Sequence, residues 1–510
     1  MSARGNRAVD RPVLIVSAGL AAAFVLWGVF ATDLLVRVTD AALAYLLRVF
    51  GWVFVLGAAG IVVFSIGLAV SRFGRVRLGE DTDEPEFRTV SWIAMMFSAG
   101  MGIGLMFFGA AEPLSHLSQP PLGQAAPNSR QAAELAMQYS YFHWAIHPWA
   151  MYAVVGLALA YSTFRKGRPN LISSTFLPFL GERANRGPGK VLDILAIFAT
   201  LFGSATSLGL GALQVNGGLG ALFGIPGSTP LAIGVIAVLT IGFVISAVTG
   251  VHRGIQWLSN TNMVLAAVLL LFLFVVGPTV FILNNFTESV GNYLANLVPM
   301  SFQTAAFGGG EWLAEWTIFY WAWWISWTPF VGTFIARISR GRTIREFVVG
   351  VILVPSMVSF VWFAILGGTA INVQWTGDTD LAAAAARGPE YALYELLDVF
   401  PLFTFTAVLV IVLVALFFVS GADAASVVMG TLTSRGTLEP GTPVVILWGA
   451  LTGAVAAVLL LAGGVDALDG IQSVLILAAA PFLLVVISMC FSLVRELRRE
   501  PRTVIAGKAL

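Results

Sequence analysis

The chain has 510 residues, 58% of them hydrophobic and 11% charged, with a formal net charge of +1 and a mean hydropathy of +0.87. That balance excludes a soluble domain with an oily core and offers nucleic acid no basic surface, so the chain reads as an all-α polytopic membrane protein. Its single cysteine, Cys490, excludes an intramolecular disulfide and a cysteine-based metal cluster.

The first eleven residues carry Arg4, Arg7 and Arg11 ahead of an apolar run from about Val13 to Val36. The run is too long for a signal-peptide core and lacks a clear cleavage site, so it reads as a retained span. Further runs fall near 46–71, 89–111, 132–162, 190–223, 229–249, 258–283, 313–336, 347–372, 400–430, 441–464 and 470–494, which makes about twelve spans. Placing the N-terminus in the cytoplasm puts Arg72, Arg75, Arg77, Arg165, Lys166, Arg168, Arg337, Arg340, Arg342 and Arg495 on inner loops. Mostly acids then fall outside: Glu112, Glu288, Asp378, Asp380, Glu390 and Asp466. The alternation predicts an even span count in a cell membrane with both termini cytoplasmic.

The third span contains FSAGMGIGLMFFG. Gly100 and Gly104 match a small-xxx-small packing pattern, but three glycines in five residues also lower the cost of unwinding and leave carbonyls free to face an ion. Glu112-Pro113 is expected to end this span. The fourth carries HWAIHPWAMY, with Trp144, Trp149 and Tyr152 on one side of a helix. Such residues often mark the headgroup interface, yet these sit well inside the apolar run beside Pro148, so a mid-membrane aromatic cluster is the competing reading. His143 and His147 are either proton carriers or structural histidines. In the fifth span Thr200, Ser204 and Ser207 form one stripe that either bonds back to backbone or ligates a hard cation such as sodium.

The eighth span reads FYWAWWISWTPF from Phe319 to Phe330. Trp323, Trp324 and Trp327 fit within an arc of about 100°, so their faces can line one cavity. Pro329 is expected to break the helix beside them. Electron-rich rings around a helix break suit a quaternary ammonium, which has no proton to donate and is held by ring quadrupoles and dispersion. The tenth span ends FFVSGADAASVVMG, where Asp423 is a functional or a helix-capping residue. Broken segments in corresponding positions point to an inverted repeat. The division is a tail at 1–12, two peripheral helices at 13–71, a first repeat at 89–283, an outer connection at 284–312, a second repeat at 313–494 and a basic tail at 495–510.

GMGIG at 100–104, HWAIHPW at 143–149 and YWAWWISWTPFVGTFIARISRGRTIREF at 320–347 together resemble the betaine/choline/carnitine transporter family over nearly the whole chain. The resemblance implies a leucine-transporter-type core of five plus five helices behind two extra N-terminal ones, a homotrimer, and alternating-access uptake of a trimethylammonium zwitterion. It implies an aromatic box of Trp144, Trp149, Tyr152 and Trp324, with Trp323 and Trp327 along the permeation path and the unwound backbone at Met101 and Gly102 facing the substrate carboxylate. One sodium site is implied at Thr200, Ser204 and Phe330. A second is implied at Ser98, Met101, Phe417, Ser420 and Gly421, although Gly421 cannot supply the second hydroxyl of the family pattern. Sodium-independent exchangers carry an arginine in the fifth span, and none lies between Val191 and Gly220 here. The long tails of the osmotically regulated importers are not matched, so the resemblance implies transport without implying gating.

The expectation is therefore sodium symport of glycine betaine or a related quaternary-ammonium osmolyte, with sodium as coupling ion and no resident cofactor. The alternative is a proton-coupled choline, carnitine or ectoine carrier in which His143, His147 or Asp423 titrates. A membrane enzyme would need converging acid, base or metal groups, which the acids, read mostly as loop residues, do not provide.

Overall fold

The computed structural model describes residues 9–100, 102–249, 252–377, 379–463 and 467–501, leaving aside the side chains of 97–100, 249, 252–259 and 467. A backbone held away from water satisfies its polar groups within its own segment. Among the described residues every long apolar stretch is a helix, and the only β feature is an isolated bridge between Arg77 and Thr343.

Helix α1 (Arg11–Phe30) is capped by Asp10, whose carboxylate accepts from the Val13 N–H. It ends at Ala31, and α2 (Thr32–Val70) starts at once. This corrects the reading of separate runs at 13–36 and 46–71, because α2 continues unbroken past Arg37 and Asp40 for 39 residues. Helix α3 (Thr89–Gly100) and α4 (Ile103–Ser118) divide at the glycine-rich stretch, where Gly102 is fully extended. Helix α4 then runs through Glu112-Pro113 instead of ending there, and the Pro113 ring fits because Gly367 opposite it has no side chain.

Helices α5 (Arg130–Trp144) and α6 (Ile146–Ala160) divide at Ala145, which is non-helical at φ −106° and ψ −112°. After the short α7 (Leu177–Leu180) come α8 (Gly187–Phe223), α9 (Thr229–Thr249), α10 (His252–Val276) and α11 (Thr279–Ser301), with α11 turned 109° from α10. Helix α12 (Gly310–Leu313) leads through a π-turn into α13 (Phe319–Arg337). Then follow α14 (Ile344–Thr376), α15 (Leu381–Arg387), α16 (Pro389–Asp398), α17 (Phe403–Thr433), α18 (Thr442–Gly463) and α19 (Ala467–Leu497).

The expected break at Pro329 is absent, and the reason is local. Pro329 cannot donate to Ile325 O, and the Thr328 hydroxyl donates to that same oxygen at 2.7 Å, so α13 stays continuous.

Nine described spans are long and apolar enough to cross a membrane, ten if α10 and α11 form one bent span. The other two of the twelve-span reading fall outside that criterion: α13, and the α3–α4 pair, whose halves have 12 and 16 residues. Helix α13 lies at the centre against α6, α8 and α19, with α14 packed on α4 and α6. Large apolar side chains such as Ile15 and Leu20 on α1, Val238 and Ile241 on α9, and Leu271 and Val275 on α10 face outward, a belt that lipid solvates and water does not.

At one end of the bundle the basic loops meet. Arg165 pairs with Asp81 and Glu500, Arg168 with Glu496, Arg340 with Asp83, and Lys190 with Asp10. The loops assigned to a single side of the membrane from their charge are thus in contact on one face.

Candidate functional site

The breaks beside Gly102 and Ala145 come together against the middle of α13. Trp144 ends α5, Trp149 and Tyr152 stand on α6, Trp323, Trp324 and Trp327 on α13, and Gly102, Gly104 and Ser359 complete the wall of one cavity. Trp327 is half-buried and the other aromatics are buried. The free volume is about 40 Å³, enough for ordered water and too small for a trimethylammonium zwitterion until the rings part.

The rings meet at steep angles. Trp144 stands edge-on to Trp324 with centroids 4.8 Å apart, Trp149 to Tyr152 at 5.2 Å and Trp323 to Trp327 at 6.4 Å, whereas Trp323 and Trp324 stack at 4.9 Å. Four indoles tie their N–H groups outward. Trp144 donates to Glu112 Oε2 (2.7 Å), Trp323 to Ser207 Oγ (3.2 Å), Trp324 to His143 O (2.9 Å) and Trp327 to Gly203 O (3.0 Å). A buried indole needs such a partner, and with the N–H spent on the wall only the electron-rich face is left for the cavity.

Small residues and prolines make this closeness possible. A Cβ on Gly104 would lie 2.7 Å from both Trp144 and Trp323, so the third glycine of GMGIG is what lets the two rings approach α4. Pro148 has no N–H for Trp144 O, and Ser359 Oγ donates to that oxygen at 2.8 Å from α14. The break at Ala145 is therefore pinned from two directions, through Trp144 O and His143 O.

Behind Trp144 lies a group that the charge pattern misplaces. The pattern assigns Glu112 to an outer loop; it is fully buried. Its Oε2 accepts from Trp144 Nε1 and from the Tyr320 hydroxyl (2.6 Å), and its Oε1 lies 2.7 Å from His143 Nδ1 and 3.4 Å from His116 Nε2. His143 Nε2 meets Thr317 Oγ1 at 3.0 Å. The signal was present: Glu112 is the only charged residue between Arg88 and Arg130. Tyr320, Thr317 and Ser359 carried no comparable mark. His147 stacks on Trp321 at 4.8 Å, with Nε2 3.2 Å from Ser301 Oγ.

Of the sodium candidates, Thr200 and Ser204 are buried on α8. Thr200 Oγ1 donates to Ala196 O at 2.8 Å, which leaves its lone pairs available to a cation. Phe330 is half-buried on α13 with its ring 5.7 Å from Trp327. On α17, Ser420 Oγ donates to Leu416 O at 2.8 Å and faces the Asn262 amide at 3.5 Å, while among the described residues nothing lies within 4 Å of where a Gly421 side chain would project. The Ser98 side chain and Met101 lie outside the described residues, and Asp423 is buried in α17.

A helical membrane protein with an aromatic cavity where its helices break has the build of a solute carrier. The chain belongs to the betaine/carnitine/choline transporter family: the family model described as "BCCT, betaine/carnitine/choline family transporter" matches residues 12–502. It is 48% identical to the glycine betaine transporter OpuD of Bacillus subtilis, over 96% of this chain and 95% of that one. It is 42% identical to the betaine/ectoine transporter LcoP of Corynebacterium glutamicum, over 98% and 80%. Identity to the ectoine/hydroxyectoine transporter of Virgibacillus pantothenticus is 41%, over 96% and 97%.

Proposed function

We propose that this chain imports glycine betaine or a closely related quaternary-ammonium osmolyte by sodium symport, alternating between outward- and inward-facing states. We place it in a cell membrane as a homotrimer with both termini cytoplasmic, its twelve spans forming two peripheral helices and two five-helix repeats. The observation that carries the reading is the cavity walled by Trp144, Trp149, Tyr152, Trp323, Trp324 and Trp327, four of whose indole N–H groups are turned away from it. A methylated ammonium takes no hydrogen bond, so a cavity of ring faces repays its lost hydration where polar groups cannot.

Gly102, extended at the break between α3 and α4, supplies free backbone N–H near the substrate carboxylate, with Met101 beside it. One sodium takes the Thr200 and Ser204 oxygens with Phe330 alongside. A second takes Ser420 Oγ and main-chain oxygens of Ser98, Met101 and Phe417, and is the weaker site because Gly421, at the place of the second hydroxyl, brings none. Ion binding biases the outward-open form and substrate then permits closure.

Uptake of labelled glycine betaine into proteoliposomes, with external sodium replaced at constant pH, tests the coupling. Loss of uptake is the expected result. A second reading, proton-coupled transport of choline or a similar cation, is favoured by the buried group of Glu112, His116 and His143, whose ligand atoms lie within 4.8 Å of one another. Uptake that survives sodium removal and follows an imposed proton gradient would select it. A competition panel of glycine betaine, choline, carnitine and ectoine identifies the substrate.

A further inference from the structure

Among the described indole N–H bonds of the cavity wall, those of Trp323, Trp324 and Trp327 go to neutral oxygens, and that of Trp144 goes to a buried carboxylate. We propose that Glu112 is the positioning residue that sets the site's preference for a positively charged head group, acting through the indole of Trp144. The inference deepens the quaternary-ammonium reading above and rests on it.

Two donors and a histidine nitrogen converge on Glu112. Trp144 Nε1, which can only donate, and the Tyr320 hydroxyl both reach Oε2 at 2.7 and 2.6 Å, and His143 Nδ1 reaches Oε1 at 2.7 Å with Thr317 Oγ1 on its far nitrogen. An ionised carboxylate is an acceptor with lone pairs on both oxygens, which this arrangement suits. All of these groups are buried, so their mutual polarisation is weakly screened. An indole whose N–H leans on an anion carries more negative charge on its π system, and Trp144 lines the cavity beside Trp323 and Trp324, nearly perpendicular to both. The carboxylate also holds Trp144 beside Tyr320, with ring centroids 5.4 Å apart, which fixes the tilt of the indole. Attraction for a cation is thereby raised without placing a charged oxygen in the cavity, where it would draw a hydrated metal ion and repel the substrate's own carboxylate.

The probes are glycine betaine and 3,3-dimethylbutanoate, which keeps the carboxylate and replaces the trimethylammonium by an uncharged tert-butyl group. Binding is measured by calorimetry on the purified full-length protein and on Glu112→Gln and Glu112→Asp. The glutamine variant preserves the side chain's size and loses its charge, whereas the aspartate variant keeps the charge and shortens the reach. Glu112→Gln should weaken glycine betaine about tenfold and leave the tert-butyl compound within about twofold, with Glu112→Asp between wild type and Glu112→Gln for betaine. In a Trp144→Phe background, which has no N–H to polarise, Glu112→Gln should cost betaine about twofold at most. The proposal is overturned by equal losses for both ligands, by an aspartate variant worse than the glutamine one, by an undiminished effect in the Trp144→Phe background, or by unchanged betaine binding. Should Glu112→Gln not fold, betaine binding to Glu112→Asp no better than to Glu112→Ala would overturn it equally. Wild-type protein that does not distinguish the two ligands would instead sink the cation reading of the cavity.

Discussion

The indole N–H of Trp324 donates to the main-chain oxygen of His143 at 2.9 Å. In a regular helix that oxygen would take the N–H of His147, but the chain turns out of helix at Ala145 and the bond crosses to α13. One side chain therefore holds the break open and presents its own face to the cavity.

Replacing it removes both functions. Trp324→Leu should reduce glycine betaine affinity by about tenfold or more, whereas Trp375→Leu, at an exposed position on α14, should leave it unchanged. Trp324→Phe should fall between, since a ring face remains without the N–H. Tryptophan-fluorescence titration of the three variants checks the order, and equal losses at 324 and 375 would remove Trp324 from the box.

Gly104 is predicted to be intolerant of a single methyl group. Its Cβ would stand 2.7 Å from Trp144 and Trp323, so Gly104→Ala should push the rings together across the cavity and weaken betaine binding about tenfold or more. Unfolding temperature should change little, because alanine's helix propensity of about 1 kcal/mol over glycine offsets part of the crowding. Calorimetric binding beside thermal unfolding separates the two effects.

Sodium dependence should respond to Thr200 selectively. Thr200→Val keeps the shape and removes the oxygen, so the sodium concentration for half-maximal uptake should rise at least about fivefold, roughly one lost oxygen ligand, while betaine affinity at saturating sodium persists. An unchanged sodium curve would place the ion elsewhere.

Helix α16 is predicted to loosen as pH rises. Burial pushes the Glu390 carboxyl from 4.5 up to about 7, so the folded segment retains a proton that the unfolded one has released. Its stabilisation is full below pH 4.5 and is lost as pH rises through about 7. The effect is at most about 3 kcal/mol, and less with the side chain half-buried and partly solvated. Amide exchange of α15 and α16, corrected for intrinsic rates, should speed up between pH 5 and pH 8 in the wild type. Glu390→Gln should show the same protection at both values.

Much of the architecture is legible in the residues. Hydropathy marks the apolar segments, GMGIG marks a break that the structure puts between Gly100 and Ile103, and the tryptophan spacing of α13 places three rings on one side. Proline was the poorer guide. Pro113 and Pro329 lie inside continuous helices, the latter because Thr328 replaces the missing bond. Pro148 leaves an oxygen that Ser359, more than 200 positions away, satisfies.

Sequence alone determined that the chain lives in lipid and that its rings gather near helix breaks, because hydropathy, helical spacing and backbone freedom belong to a residue and its immediate neighbours. Tertiary structure decided which prolines bend the chain, that Glu112 lies beneath the cavity wall, and how closely Trp144 approaches α4. Each of these depends on a donor, an acceptor or an absent side chain contributed by another helix, and no local pattern records the identity of that partner.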